Sequence, residues 1–226
     1  MDESVISEGR CRYCNQLFSK RTISNHLAKH LAENEKLAPA EVAQYYCHVK
    51  VEADEMFLHL LLKYGTKMKK VDKFLRGIWL ECCGHMSEFY LKGIKVKMSE
   101  EVQFVFEPRA KITHDYDFGT TTRVSITGLK HYQLNPNEDI ILLSRNEPIK
   151  LMCATCKTES AVNLCSTCNW EKYSFFCKKC SKKHEKVCDD FADYSCMPVV
   201  NSPRMGQCGY TGGTIDKARD GVYVKK

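Results

Sequence analysis

The sequence predicts an α+β protein with a mainly antiparallel sheet and one packed helix, flanked by small zinc-finger modules at both ends. Three observations lead to this fold class. Cysteines and histidines with metal-ligand spacing are concentrated near the two ends of the chain. Several short β-like runs lie between them, together with one strongly amphipathic segment at 66–80. These runs do not alternate with helices, which disfavours a parallel sheet of βαβ units.

The central elements are assigned from hydrophobic periodicity. CHVKVEA alternates and MFLHLLLK is a continuous apolar run, so both are predicted strands. Helical spacing at 66–80 comes from Val71, Phe74, Leu75, Ile78 and Trp79. Further strands are predicted at SEFYLKG, VQFVFE, ITHDYDF, TTRVSITGL and DIILLS.

These patterns divide the chain into five sections. The predicted sections are a metal-binding module at 1–31, a helical linker at 32–46, an α+β domain at 47–147, a cysteine-dense module at 148–196 and a tail at 197–226. Pro39 is interpreted as a helix entry within the linker.

Composition excludes several classes of protein. Hydrophobic residues make up 43% of the chain and charged residues 27%, which is typical of a folded globular protein. No stretch has the length of a membrane span, and the polar N-terminus does not resemble a signal peptide. The grouping of cysteines into C-x-x-C pairs indicates metal ligands in a reducing compartment, not disulfides. We therefore expect a cytoplasmic protein without membrane contact.

The formal net charge of +6 favours an acidic partner only weakly. Nine thiolate ligands would remove nine positive charges and three Zn²⁺ would add six, which leaves +3. The excess of basic residues is therefore confined to particular segments of the chain.

The N-terminal metal motif is CRYCNQLFSKRTISNHLAKH, or C-x2-C-x11-H-x3-H. Its predicted zinc ligands are Cys11, Cys14, His26 and His30. A helix places the two histidines on one face, and the C-x-x-C turn supplies two thiolates. Phe18 and Ile23 are expected to form a miniature core under the zinc. The motif resembles the C2H2 zinc finger, although its cysteine–histidine gap is one residue shorter than usual.

The resemblance to C2H2 fingers implies two alternatives for this module. The base-facing positions would be Ser19, Thr22 and Asn25, which are poor readers of guanine. Contacts to the phosphates of DNA or RNA would come from basic residues, of which the candidates are Lys20, Arg21 and Lys29. The other alternative is a structural zinc site that only stabilises the fold, with its basic residues exposed to solvent.

The C-terminal motif is C-x2-C-x8-C-x2-C-x8-C-x2-C-x3-H-x3-C, which supplies ligands for two tetrahedral zinc sites. Its predicted ligands are Cys153, Cys156, Cys165, Cys168, Cys177, Cys180, His184 and Cys188. We favour a cross-brace, in which the first and third pairs share one zinc and the remaining four ligands share the other. Sequential pairing is the alternative. With the N-terminal site, the prediction is three zinc ions per chain.

This double-zinc module, residues 148–196, resembles the B-box, MYND and HIT zinc fingers, including the aromatic Phe176 before the third cysteine pair. The resemblance implies protein contacts rather than catalysis. A lysine-rich helix face in the module offers contacts to nucleic acid, with Lys179, Lys182 and Lys183 as candidates. A solvated face is the alternative.

The segments FLRGIWLECCGHMSEF, ITHDYDFGTTTRVSI and PVVNSPRMGQCGYTG resemble the plasmid ORF-3-like family over about residues 47–212. This prokaryotic family is also labelled transposon-passenger TnpR-like and is essentially uncharacterised. The label implies DNA mobility, but the sequence contains no serine or tyrosine recombinase pattern.

The central domain contains one set of residues with catalytic chemistry, which suggests an enzyme as the alternative function. If the two segments meet, Cys83, His85, His114 and Asp117 would form a metal or nucleophilic site. The interpretation that we favour makes Cys82 and Cys83 small buried residues after a helix, and DYDFG a turn. The sequence therefore predicts a zinc-binding, non-enzymatic binding or adaptor protein. Its partner would be nucleic acid or, through the double-zinc module, another protein.

Overall fold

The computed structural model describes residues 7–220, and its internal contacts divide the chain into two compact units. Of the described residues, the first unit contains 7–75 and 85–147. The second contains 76–84 and 148–220.

The first unit is built on a seven-stranded antiparallel sheet with the strand order β6-β5-β7-β8-β3-β4-β9. A separate hairpin of β1 and β2 precedes it. The described elements are β1 (Glu8–Arg10), β2 (Leu17–Ser19), α1 (Ile23–Leu37), β3 (Gln44–Ala53), β4 (Met56–Lys63), α2 (Met68–Leu75), β5 (Ser87–Leu91), β6 (Ile94–Val96), α3 (Val102–Val105), β7 (Lys111–Tyr116), β8 (Thr122–Leu134) and β9 (Ile140–Arg145).

The predicted α+β class with a mainly antiparallel sheet is confirmed. Strands β3 and β4 form where alternating and continuous apolar runs were expected, and β4 is buried along nearly its whole length. The helix predicted at 66–80 is present as α2, which continues into a π-helical turn at Arg76–Leu80.

The strand predicted at VQFVFE is wrong. This segment forms the single-turn helix α3, in which Val102 and Val105 are buried while Phe104 is exposed. Two buried residues three positions apart share one side of a helical turn, whereas strand alternation would have buried Phe104 with Val102. Side-chain burial in the folded unit decides between the two conformations in so short a segment.

The metal-binding module at the N-terminus is packed onto the sheet. Ile23, Leu27 and Leu31 on one face of α1 are fully buried. They share one core cluster with sheet residues, among them Tyr46 and Phe57. The expected miniature core of Phe18 and Ile23 is therefore part of a larger apolar core, which exceeds what a module of this size can bury alone.

The hairpin of this module also approaches the sheet edge very closely. The backbone N–H of Arg12 donates to the carbonyl of Leu143 in β9 over 2.9 Å. A Cβ atom at Gly9 would lie 2.7 Å from the carbonyl oxygen of Arg145, so only glycine fits here without displacing the backbone. The hairpin, α1 and the sheet therefore form one unit.

The domain boundaries differ from the predicted ones for this reason. The boundary expected after residue 31 lies inside α1, and the one expected after residue 46 lies inside β3. Helix α1 ends at Leu37, before Pro39, and residues 38–43 form the actual connection. Leu27 and Leu31 lie four residues apart on the buried face of α1. Their packing on the sheet stabilises the helix beyond its second histidine.

We expect Leu27→Ala to destabilise the protein by about 2–5 kcal/mol, because the truncation leaves a cavity in the shared core. The exposed Lys29→Ala on the same helix is the control and should change stability by less than about 0.5 kcal/mol. Urea denaturation of the zinc-loaded proteins measures both. Equal effects of the two substitutions would contradict the packing of α1 on the sheet.

Two buried histidines face each other across β3 and β4. His48 Nε2 and His59 Nδ1 lie 3.0 Å apart, and His59 Nε2 lies 3.3 Å from the hydroxyl of Ser24. Desolvation lowers the pKa of His48 to about 3. Desolvation, with the nearby His48 and Lys50, holds the pKa of His59 well below its ordinary value. Both histidines are therefore neutral in the folded protein at neutral pH.

This pair predicts a loss of stability in mild acid. The unfolded chain binds protons at these histidines below a pH of about 6.5, while the folded protein does not, so the free energy of unfolding falls as pH decreases. The loss approaches about 1.4 kcal/mol per histidine per pH unit. Denaturation at pH 7.5 and 5.5 should show a smaller drop for His48→Gln/His59→Gln than for wild type. Identical drops would contradict the prediction, since protonation of the other groups is common to both proteins.

The second unit contains a three-stranded antiparallel sheet with the order β11-β10-β12. Its described elements are the π-helical turn Arg76–Leu80, β10 (Asn163–Cys165), a 3-10 turn at Cys168–Trp170, β11 (Phe175–Phe176), α4 (Lys178–His184), a π-helical turn at Phe191–Ser195, β12 (Cys196–Pro198) and a 3-10 turn at Lys217–Arg219. The boundary predicted at 197 lies inside β12. Because β12 pairs with β10, the first residues of the predicted tail belong to the three-stranded sheet.

Among the described residues, no helix has the length and apolar character needed to cross a membrane.

Candidate metal centres

The first group of ligands lies between the β1–β2 hairpin and α1. The ligand atoms of Cys11, Cys14, His26 and His30 all lie within 4.8 Å of one another. The separation between Cys14 Sγ and His26 Nε2 is 3.2 Å. The turn is closed by a hydrogen bond from the N–H of Asn15 to the carbonyl of Cys11, with Asn15 in the left-handed region. The structure thus brings together the four residues that the N-terminal motif predicts.

Neighbouring side chains prepare this group for a metal. Phe18 stacks on His26 with ring centroids 3.7 Å apart, which fixes the imidazole. Desolvation lowers the pKa of His26, which favours the neutral ring that a metal requires. A carboxylate oxygen of Glu33 lies 3.9 Å from His30 Nδ1, in the position from which an outer carboxylate orients a ligating histidine.

The double-zinc module contains two further groups, and they are interleaved. Their ligand atoms again lie within 4.8 Å of one another in each group. The members of one are Cys153, Cys156, Cys177 and Cys180, and those of the other are Cys165, Cys168, His184 and Cys188. Within the first group, the sulfurs of Cys156 and Cys177 are 3.9 Å apart, and within the second those of Cys168 and Cys188 are 3.8 Å apart. This is the cross-brace grouping, in which the first cysteine pair joins the third.

Backbone amides stabilise thiolates within these groups. The N–H of Cys168 points to Cys165 Sγ and the N–H of Cys180 to Cys177 Sγ, both at 3.4 Å. Hydrogen bonds from Thr158 and Glu159 lower the pKa of Cys156 to about 6. Desolvation, reinforced by neighbouring thiols, instead raises the pKa of Cys177 to about 12. Sulfurs packed this closely lose their protons together only when a cation offsets their charge.

His184 provides a test of whether the residues fit a metal. Its Nε2 is buried and has no hydrogen-bond partner among the described residues. The ring is held between Phe176, with centroids 4.3 Å apart, and Phe191, with centroids 4.9 Å apart. A buried nitrogen without a hydrogen bond is costly, whereas a metal ion held with three cysteines would occupy its lone pair. The chemistry of this donor set therefore fits a metal.

A fourth group lies within the second unit and consists of Cys82, Cys83 and Cys208. The expectation that Cys82 and Cys83 are buried is wrong: Cys83 is exposed and Cys82 is half-buried, because both lie in an irregular turn after the π-helical turn. Sequence reasoning missed Cys208, which lies 125 residues from Cys83 and belongs to no C-x-x-C pair. Only the short segment around it, PVVNSPRMGQCGYTG, was distinctive.

The catalytic alternative groups Cys83, His85, His114 and Asp117. The structure brings two of them together, since His85 Nε2 lies 3.6 Å from Asp117 Oδ2. His114 is fully buried, and its Nε2 lies 2.8 Å from a carboxylate oxygen of Asp72. Because solvent does not reach His114, its side chain has no access to a substrate. DYDFG lies at the end of a strand: its first two residues belong to β7, and the chain bends after Asp117, which is in the left-handed region.

The basic candidates differ in their surroundings. Lys20 donates to the carbonyl of Asp54, and its Nζ lies 3.8 Å from Glu52. Arg21 and Lys29 are exposed. The exposed lysines on or directly after α4 are Lys178, Lys179, Lys182, Lys183 and Lys186. Between residues 7 and 220, none of these five lysines forms an ion pair.

Comparison with known proteins gives little further information. No family model matches the chain, and no curated protein matches it. One similar solved structure is that of a protein of unknown function from Methanosarcina mazei Go1, which is 12% identical. The match covers 45% of this chain and 67% of the other, with a TM-score of 0.38. A likeness at this level carries no inference about function.

Proposed function

We propose that this chain is a non-enzymatic binding protein folded around three zinc ions, and that its double-zinc module contacts the phosphate backbone of nucleic acid. One observation carries the proposal. Two interleaved groups of four ligands hold α4 in place, and the solvent side of α4 presents a row of unpaired lysines.

Zinc is the metal that best matches these groups. Zn²⁺ prefers four cysteine and histidine ligands in a tetrahedron, and a Zn–S bond of about 2.3 Å implies sulfur separations of about 3.8 Å. The separations of 3.9 Å between Cys156 and Cys177 and of 3.8 Å between Cys168 and Cys188 agree with this value. Four protein ligands leave no position for a reacting water, so the metals serve folding rather than catalysis.

The lysines on α4 suit a polyanion. Each phosphate that a lysine neutralises releases counterions, so affinity depends steeply on salt. Exposed aromatic side chains in the same module offer stacking surfaces for unpaired bases: Trp170 is 80% exposed and Tyr194 is 69% exposed. We therefore expect weak binding with little sequence preference, and stronger binding to single strands than to duplexes.

The ligands favour a reducing compartment. Thiolate ligands persist where thiols remain reduced, and the nine cysteines of the three groups are free thiols. We place the protein in the prokaryotic cytoplasm, in agreement with the resemblance to the plasmid ORF-3-like family.

A charge-reversal experiment tests the nucleic-acid interaction. Lys179→Glu/Lys182→Glu/Lys183→Glu should abolish binding to a fluorescent 20-nucleotide single strand, because three phosphate contacts become repulsive. The matched control is Lys69→Glu/Lys73→Glu/Lys97→Glu. It changes the net charge equally, at exposed lysines of the first unit. Fluorescence anisotropy over a salt series measures affinity, and metal analysis shows that both variants retain zinc.

The proposal predicts different results for the two variants. The control should bind with at most a few-fold loss, since its lysines lie outside the double-zinc module. Equal losses in both would show that only net charge matters and would contradict a binding face on α4. If zinc-loaded wild type does not bind DNA or RNA even at low salt, a protein partner for the module replaces nucleic acid.

A further inference from the structure

The second unit contains three cysteines that approach one another outside the three groups described above. Cys83 Sγ lies 3.6 Å from Cys82 Sγ and 3.2 Å from Cys208 Sγ. We propose that these cysteines form a fourth and solvent-accessible zinc site. This inference goes beyond the proposed binding function and does not depend on it.

Two distant segments of the second unit are fixed against each other around this cluster. The hydroxyl of Ser202 donates to the carbonyl of Trp79 over 2.5 Å. The N–H groups of Thr214 and Ile215 both donate to the carbonyl of Gly77, over 2.7 and 3.0 Å. These contacts on either side of Cys208 hold its loop beside the turn that carries Cys82 and Cys83. The proximity of the thiols is therefore built into the packing of the unit.

The backbone around the cluster adopts uncommon conformations. Cys208 has a φ of 46°, in the left-handed region that non-glycine residues seldom enter. Gly84, directly after the cysteine pair, has a φ of 81°, and its N–H donates to Glu81 Oε1 over 2.6 Å. The left-handed conformation costs free energy at Cys208 but not at Gly84, where it closes the turn after the cysteine pair.

A buried cation faces the cluster. Arg204 is fully buried, and its Nη2 lies 3.6 Å from Cys82 Sγ. A guanidinium in this position adds positive charge beside the sulfurs, and thiolates are the form that binds zinc. The arginine thus offsets part of the negative charge that three thiolates bring to one ion.

The three thiols would fill three positions of the tetrahedron that zinc prefers. Because Cys83 and Cys208 are exposed, solvent can supply the fourth ligand.

Accessibility distinguishes this site from the other three. Cys83 and Cys208 are exposed, whereas each of the other groups includes at least one buried cysteine. Zinc held by exposed ligands is open to chelators and to competing ligands. We therefore expect the fourth ion to be lost first and to exchange fastest.

Metal stoichiometry tests the site directly. Native mass spectrometry of protein purified in reducing buffer without chelator should show one zinc fewer for Cys83→Ser/Cys208→Ser than for wild type. The control Cys196→Ser removes an exposed cysteine outside all four groups and should retain the wild-type count. An unchanged count in the double variant overturns the site.

Alkylation of the unmodified protein provides a second measurement, independent of how the variants fold. In the zinc-loaded protein, iodoacetamide should modify Cys196 while Cys83 and Cys208 are protected despite their exposure. Mild chelation should expose these two before any other ligand. Modification of all three at equal rates, or a Cys83–Cys208 disulfide detected by intact mass in reducing buffer, would overturn the proposal.

Discussion

Removal of zinc is expected to unfold the double-zinc module. Its inner core cluster consists largely of the ligands themselves, with Phe176 and Phe191 as its only large apolar side chains among the described residues. Structural zinc sites contribute an apparent free energy of about 10–16 kcal/mol at pH 7, and the second cluster of this unit, around Leu164, Phe175 and Val199, is also small. Hydrogen–deuterium exchange after strong chelation should show loss of protection across β10, β11 and α4.

The N-terminal module should respond less to the same treatment. Its helix α1 buries Ile23, Leu27 and Leu31 in a core shared with the sheet, and most members of this core are not metal ligands. Amides of α1 after Leu27 and of strands β3, β4 and β8 should keep most of their protection. If chelation left the double-zinc module protected, or unfolded both units equally, metal would not have the folding role assigned to it.

Combined substitutions of ligands should show which cysteines share an ion. Cys165→Ser and His184→Ala belong to one group, so each single variant and the double variant should lose the same single zinc. Cys165 and Cys156 belong to different groups, so Cys165→Ser/Cys156→Ser should lose two. Zinc analysis and limited proteolysis measure these effects, and each lost ion should make the module much more sensitive to protease.

The reverse pattern would contradict the interleaved arrangement. Under sequential pairing, Cys156 and Cys165 would share an ion, and their double variant would lose only one zinc. The Cys165→Ser/His184→Ala variant would then lose two. Cys196→Ser is the control for the loss of a thiol in this unit, since Cys196 belongs to none of the groups.

Local spacing explains how much of the metal chemistry the sequence predicts. In the first group, the two histidines are one helical turn apart and the two cysteines occupy one tight turn. All four ligands therefore lie within residues 11–30, and their spacing alone predicts the site. The same holds for the double-zinc module, where eight ligands lie between residues 153 and 188. Strands with clear periodicity, such as β3, are predicted for the same reason.

The sequence does not predict features that depend on contacts between residues far apart in the chain. Cys208 lacks a nearby partner in the chain, and its approach to Cys83 depends on the packing of two segments 125 residues apart. The burial of Leu27 by the sheet depends on the whole fold, so α1 and the sheet were expected to be separate domains. Segment 102–105 is too short for its periodicity to distinguish helix from strand.

The zinc content of Cys83→Ser/Cys208→Ser tests the central claim most directly, because this variant lacks the fourth group and retains the other three intact. Native mass spectrometry and elemental analysis of chelator-free, reduced protein should both give three zinc ions per chain. Each of the three further variants Cys14→Ser, Cys156→Ser and Cys168→Ser, made in this background, should reduce the count to two. A count of one or zero in the parent variant would contradict a protein folded around three zinc ions.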